Sequence, residues 1–182
     1  MNYLIHLYLT HFLGDYAFQP SKLVAFKQRS LWGILLHTSI HLITLLIVLA
    51  PFLYLTKVWV AIAVIYVTHN IMDQTKVTLD KAHPKKQTFF YFFDQVFHWS
   101  VILGMAYYMG DIEPNLSGKW LEFYSNQTLF LYFLVLILST YFYDVTRYFV
   151  LQKKTPFKRD YRVLFINALI VTVGFGVYWI AY

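Results

Sequence analysis

The chain has 182 residues, 59% of them hydrophobic, 13% charged and none cysteine. A soluble domain carries about 25% charged residues, so the composition indicates a membrane protein, and the lack of cysteine excludes disulfides and thiolate metal sites. The net charge of +6 is spread over the connections between apolar segments, a distribution that argues against a nucleic-acid surface.

A transmembrane helix needs about 20 mostly apolar residues. Six segments meet that requirement, at about 2–19, 31–55, 57–79, 88–109, 127–151 and 162–182. The expected fold is therefore all-α: a polytopic bundle of six transmembrane helices forming one domain over 1–182. The first segment has no basic start and no small-residue cleavage site, and it carries His11 and Asp15. It reads as a retained helix rather than a signal peptide. Pro20 ends it, and Pro51 is expected to bend the second segment near its far end. The connection 110–126, with Pro114 and Gly118, is expected to be irregular.

The connections alternate in charge. The first holds Lys22, Lys27 and Arg29, and the second only Lys57 at its edge. The third holds Lys81, Lys85 and Lys86 against Asp80. The fourth is acidic, with Asp111, Glu113 and Glu122 against Lys119. The fifth holds Lys153, Lys154, Lys158 and Arg159 against Asp160. Lysine and arginine mark cytoplasmic loops. The odd connections are thus expected inside and both termini outside, as six spans require. The implied location is a membrane that borders the cytoplasm.

Four pairs of ligand-type residues recur four positions apart: His11/Asp15, His37/His41, His69/Asp73 and Asp94/His98. Residues so spaced share a helix face. These pairs take five of the seven histidines and three of the nine acidic residues, so they are a concentration and not a scatter. Counted from the cytoplasmic ends of their segments at 1.5 Å per residue, all four pairs lie about 6–15 Å inside the boundary. His6 lies farther out, and His83 is in a connection; neither belongs to the set.

An aspartate deep in a transmembrane helix is unfavourable by about 2.5–3.5 kcal/mol. Three of them call for compensation by protons, cations or metal ions. No lysine or arginine lies at that depth in the first four segments, the nearest being Lys76, one turn from Asp73. Histidine with aspartate suits zinc first, then manganese or iron. One catalytic zinc takes about three protein ligands, so eight candidates point to two divalent ions with a shared carboxylate. Gln19, Asn70, Gln74 and Gln95 are candidates to orient the ligands. Lys76 and Arg147 form a candidate cationic rim, with catalytic roles on a bound phosphate.

The run His11-x-x-Gly14-Asp15-x-x-x-Gln19, the basic stretch to Arg29, Leu36-His37-x-x-x-His41, His69-x-x-x-Asp73-x-x-Lys76 and Asp94-Gln95-x-x-His98 resembles a family of small bacterial integral membrane proteins catalogued as a domain of unknown function. The resemblance covers about the first 110 residues. A looser similarity is to membrane-bound proteins classed as metal-dependent hydrolases, which also carry His and Asp in transmembrane helices. His69-Asn70-x-x-Asp73 resembles one metal motif of zinc/iron permeases, whose partner His-Glu-x-x-His motif is absent from this chain.

The function expected from these features is metal-dependent hydrolysis of a lipid-linked or amphiphilic (phospho)ester near the cytoplasmic leaflet. Membrane lipid and such an amphiphile would be the partners, and nucleic acid would not. Divalent metal transport, a di-iron oxidase, and a non-catalytic membrane subunit with a polar His/Asp core are the alternatives.

Overall fold

A computed structural model describes residues 3–151 and 157–181. Asn2, Tyr182 and the basic residues Lys153 and Lys154 lie outside the described residues. The described chain is helical with no strand. The helices are α1 (Leu4–Phe12), α2 (Ser21–Lys27), α3 (Leu31–Val48), α4 (Thr56–Ala82), α5 (Gln87–Met109), α6 (Gly118–Ser125), α7 (Gln127–Val150) and α8 (Tyr161–Ala181). Three of them, α3, α7 and α8, are long and apolar enough to cross a membrane. Of the remaining expected spans, α4 and α5 fall short of that measure because polar residues interrupt them, and the first is too short, its helical run ending at Ala17.

Local chemistry sets several boundaries. The Ser30 hydroxyl accepts from Trp32 N at 3.1 Å and starts α3, and the Asn126 side chain accepts from Leu129 N at 3.0 Å and starts α7. Pro51 does not bend a helix running to residue 55: α3 ends at Val48, and Pro51 sits in a 3₁₀ turn, Ala50–Phe52. Proline is favoured in the first turn of a helix, where its missing N–H has no intrahelical acceptor. The connection 110–126, expected to be irregular, holds the short helix α6, and the first basic connection holds α2. Gly110 closes α5 at φ 59°, a conformation that glycine adopts without strain.

The first segment is not a plain α-helix to residue 19. After Phe12 the chain enters a π turn, Leu13–Ala17, which carries Gly14 and Asp15. A second π turn, Leu138–Phe142, lies within α7. Short as it is, α1 is the centre of the bundle. It packs against α3, α5 and α7, and His6, Leu7, Leu9, Thr10, His11 and Phe12 are all buried. The α4–α5 hairpin is the most extensively packed pair, while α2 leans on α3 and α8 packs chiefly on α7. In α8 only Leu164 is buried.

The interior divides in two. Leu45, Leu49, Val58, Ile62, Ile102 and Met109 belong to an apolar core. They lie after the polar pairs on α3 and α5 and before the pair on α4. This alternation is what antiparallel neighbours need to gather polar residues at one end of the bundle and apolar ones at the other. His6 lies in the apolar half, where it donates to Tyr124 O at 3.1 Å and packs on Phe130.

Candidate metal centre

All eight ligand-type side chains meet in the polar half. His37 is fully buried, and the exposure of the other seven is 9% or less. They form three overlapping groups in which one donor atom per residue lies within 4.8 Å of the others: His11, Asp15, His41 and His69; His37, His69 and Asp73; and Asp73, Asp94 and His98. His69 and Asp73 each belong to two groups and so join the three into one cluster.

The π turn brings Asp15 into the centre. Three imidazole nitrogens surround its Oδ1: His41 Nε2 at 2.8 Å, His37 Nε2 at 3.1 Å and His69 Nε2 at 3.5 Å. Its Oδ2 lies 3.5 Å from His11 Nε2. Gly14 makes this approach possible. A Cβ there would stand 2.6 Å from His41 Cε1 and Nε2, so any side chain would drive the imidazole away.

The spacing matches a small divalent ion. His37 Nε2, His69 Nε2 and Asp73 Oδ2 form a triangle with edges of 3.3, 3.4 and 3.5 Å. Donors held about 2.0–2.1 Å from a tetrahedral zinc stand about 3.3–3.4 Å apart. A second observation points the same way. Asp73 Oδ2, Asp94 Oδ1 and His98 Nε2 are buried without a hydrogen-bond partner among the described residues. Yet His98 Nε2 lies 3.2 Å from Asp94 Oδ1, and His69 Nε2 lies 3.5 Å from Asp73 Oδ2. These groups are close without being aimed as hydrogen bonds. Buried polar atoms normally find partners, and lone pairs converging in this way fit a shared cation. The buried His/Asp groups thus have the geometry to hold a metal ion.

Neighbouring amides orient the ligands. Gln95 accepts from His11 Nε2 at 3.3 Å and donates to Asp94 Oδ2 at 3.1 Å and Asp15 Oδ2 at 3.5 Å. Gln19 Nε2 stands 2.9 Å from His37 Nδ1 and donates to it, which places the imidazole proton on Nε2, toward Asp15. Half a turn of that amide brings Oε1 to Nδ1 and frees the Nε2 lone pair for a metal. Asn70 faces elsewhere, accepting from Thr38 at 2.9 Å and donating to Tyr66 O at 2.9 Å. Gln74 is exposed.

The cations are not distributed as the segment boundaries implied. Lys27, from the first basic connection, reaches into the cluster and donates to Asp73 Oδ1 at 2.7 Å. Its own helix, α2, is held close because Gly33 lets it approach: a Cβ there would lie 2.5 Å from Phe26 C and O. Burial pulls the Lys27 ammonium down, but Asp73, Asp15 and Asp94 outweigh it and hold its pKa above the usual range. Lys76 is buried and donates to Asp80 Oδ2 at 3.0 Å. Arg147 stays apart, 39% exposed and 4.0 Å from Asp160, while Asp144 Oδ2 accepts from Asp160 N at 3.4 Å.

A cavity of about 370 Å³ opens beside the cluster. Asp15, Asp94 and Gln95 form its wall on the cluster side, and Lys27, Lys76 and Arg159 also line it. Arg147 does not. Arg159 had no signal in the sequence beyond its place in a basic connection.

A family model described as Protein of unknown function (DUF3307) matches residues 3–122, about two thirds of the chain. The chain belongs to this DUF3307 family. The matched region contains all eight cluster residues together with Lys27 and Lys76, while α7, α8 and Arg159 lie beyond it. No curated protein and no solved structure matches the chain.

Proposed function

We propose that this protein is a membrane-embedded, metal-dependent hydrolase of a lipid-linked or amphiphilic phosphoester, working at the cytoplasmic leaflet of a bacterial inner membrane. The observation that carries the reading is the convergence of eight buried imidazoles and carboxylates beside a cavity whose walls also hold cations. A metal cluster alone would serve storage or structure. A metal cluster exposed to a cavity can meet a substrate.

The membrane placement has six spans: α1 with its π turn, α3, α4, α5, α7 and α8, both termini outside. At 27 and 23 residues, α4 and α5 are long enough to span. Their interruptions are the inward-facing cluster residues, while Val60, Val67, Ile71, Phe93, Val96 and Leu103 on their outer faces are exposed and apolar. The basic connections lie at the cluster end of the bundle, which agrees with a cytoplasmic site.

Zinc suits the imidazole and carboxylate set best, with manganese or iron next. His11, His37, His41, His69, His98, Asp15, Asp73 and Asp94 would hold two ions, with His69 and Asp73 shared between neighbouring groups. Bound ions would supply a hydroxide at neutral pH and polarise a phosphoryl oxygen. The protein's own residues do the rest. Gln95 and Gln19 fix the ligands, the apolar half excludes water from the far side, and Lys76 offers positive charge at the cavity wall. Metal transport is less well supported, because Leu45, Leu49, Phe52, Val58 and Ile62 fill the half that a through-path would cross.

The test is release of phosphate or alcohol from a panel of amphiphilic phosphate esters by zinc-loaded protein in proteoliposomes. Turnover that is lost in His69→Ala and Asp94→Asn supports the reading. Equal rates in wild type and both variants contradict it.

A further inference from the structure

The cavity beside the cluster holds cations whose partners differ, and the difference assigns a ligand. Lys27 is spent on Asp73 at 2.7 Å and Lys76 on Asp80 at 3.0 Å. Arg159 forms no ion pair among the described residues, although the charge of buried Asp144 acts on it. Its Nη2 donates to the carbonyls of Tyr16 at 3.0 Å, within the π turn that carries Asp15, and of Gln19 at 3.1 Å, just beyond it. The guanidinium lies 4.8 Å from the Tyr141 ring centre. These contacts fix the group in place, and its Nη1 is shielded from solvent with no hydrogen-bond partner among the described residues. Arg159 lines the cavity as a guanidinium fixed by these contacts, and the planar fork of arginine suits phosphate oxygens.

The charge balance says when that anion can enter. Five carboxylates, Asp15, Asp73, Asp80, Asp94 and Asp144, stand against Lys27, Lys76 and Arg159 in and around the cluster and the cavity wall. Without metal the region is not cationic unless histidines are protonated. Two divalent ions would turn it into an excess of two positive charges, which a dianion neutralises better than a monoanion. Val24, Val145, Phe149 and Phe157 complete the wall and offer an apolar side to a chain.

We propose that Arg159, with Lys27 and Lys76, forms the anion subsite of this cavity, and that its ligand is the dianionic phosphate monoester head of an amphiphile. The assignment rests on the metal-centre reading above and narrows its substrate from esters in general to phosphate monoesters. It adds Arg159, which lies outside the family match, as the residue that selects them.

Binding is measured by calorimetry on the zinc-loaded full-length protein, with inorganic phosphate, octyl phosphate and octyl sulfate as probes. Octyl phosphate is expected to bind at least tenfold more tightly than octyl sulfate and inorganic phosphate. Arg159→Ala should weaken it by tenfold or more, since hydrogen bonds to charged groups carry that much. Ala25→Phe, at an exposed position on the cavity wall, should weaken it similarly at unchanged melting temperature, and it decides the matter if Arg159→Ala fails to fold. Equal affinity for inorganic and octyl phosphate overturns the amphiphile, and equal affinity for phosphate and sulfate overturns the dianion. Unchanged binding in the variants overturns the subsite. Octyl phosphate bound but not hydrolysed leaves the subsite standing and removes the hydrolase, whereas hydrolysis unaffected by both variants does the reverse.

Discussion

Replacing Gly14 with alanine adds one methyl group at the most crowded point of the cluster. The new Cβ would stand 2.6 Å from Cε1 and Nε2 of His41. Ordinary contact begins at 3.4 Å, so the ring must retreat by the difference, about 0.8 Å. Metal–ligand distances tolerate only about 0.2 Å. His41 Nε2, now 2.8 Å from Asp15 Oδ1, would leave its group with His11, Asp15 and His69. Alanine favours a helix over glycine by about 1 kcal/mol, so local propensity does not act against the variant. Gly14→Ala should therefore keep its helical circular dichroism and lose at least about tenfold in affinity for one zinc ion, as loss of a ligand's orientation does. Competitive titration against a chelating dye reads this directly. A variant that folds and binds zinc as tightly as wild type would refute the account of Asp15 and His41.

Other substitutions probe the surroundings. Lys27→Met removes the cation from buried Asp73; losing one partner of a buried pair is destabilising by about 3–5 kcal/mol, or about 6–20 °C at this chain length. The melting temperature should fall mainly in chelator, because metal replaces the lost charge, and an equal fall with and without metal contradicts this. Gln95→Leu should reduce zinc affinity about 10–100-fold with the fold intact, checked by the same titration. The topology is open to labelling because the chain has no cysteine of its own. With an impermeant thiol reagent, Lys85→Cys should react only from the cytoplasmic side and Ser117→Cys only from the outside; the reverse pattern sinks the orientation.

How much of this was legible in the sequence depended on whether a contact had a period. His37/His41, His69/Asp73 and Asp94/His98 could be read because four-residue spacing within apolar helices is a local signal. So could Gln19 and Gln95, one turn or one residue from ligands. Lys27 could not: it sits in a connection, and only the close packing of α2 on α3 at Gly33 carries it to Asp73. Arg159 is likewise placed by long-range bonds to the carbonyls of Tyr16 and Gln19. Arg147, chosen for its position near a helix end, follows Asp160 instead of the cavity. The π turn at Leu13–Ala17 left no pattern beyond Gly14, which sits in the turn and whose small size makes room for His41.

The central claim is that these side chains converge in order to hold divalent ions. Elemental analysis of protein purified without added metal, in wild type and in His69→Ala, tests it most directly, since His69 joins two of the three ligand groups. The account predicts about two ions per chain in wild type and a several-fold loss in the variant, with the bundle still inserted in membranes. A metal-free wild type whose melting temperature is the same in chelator and in zinc would contradict it.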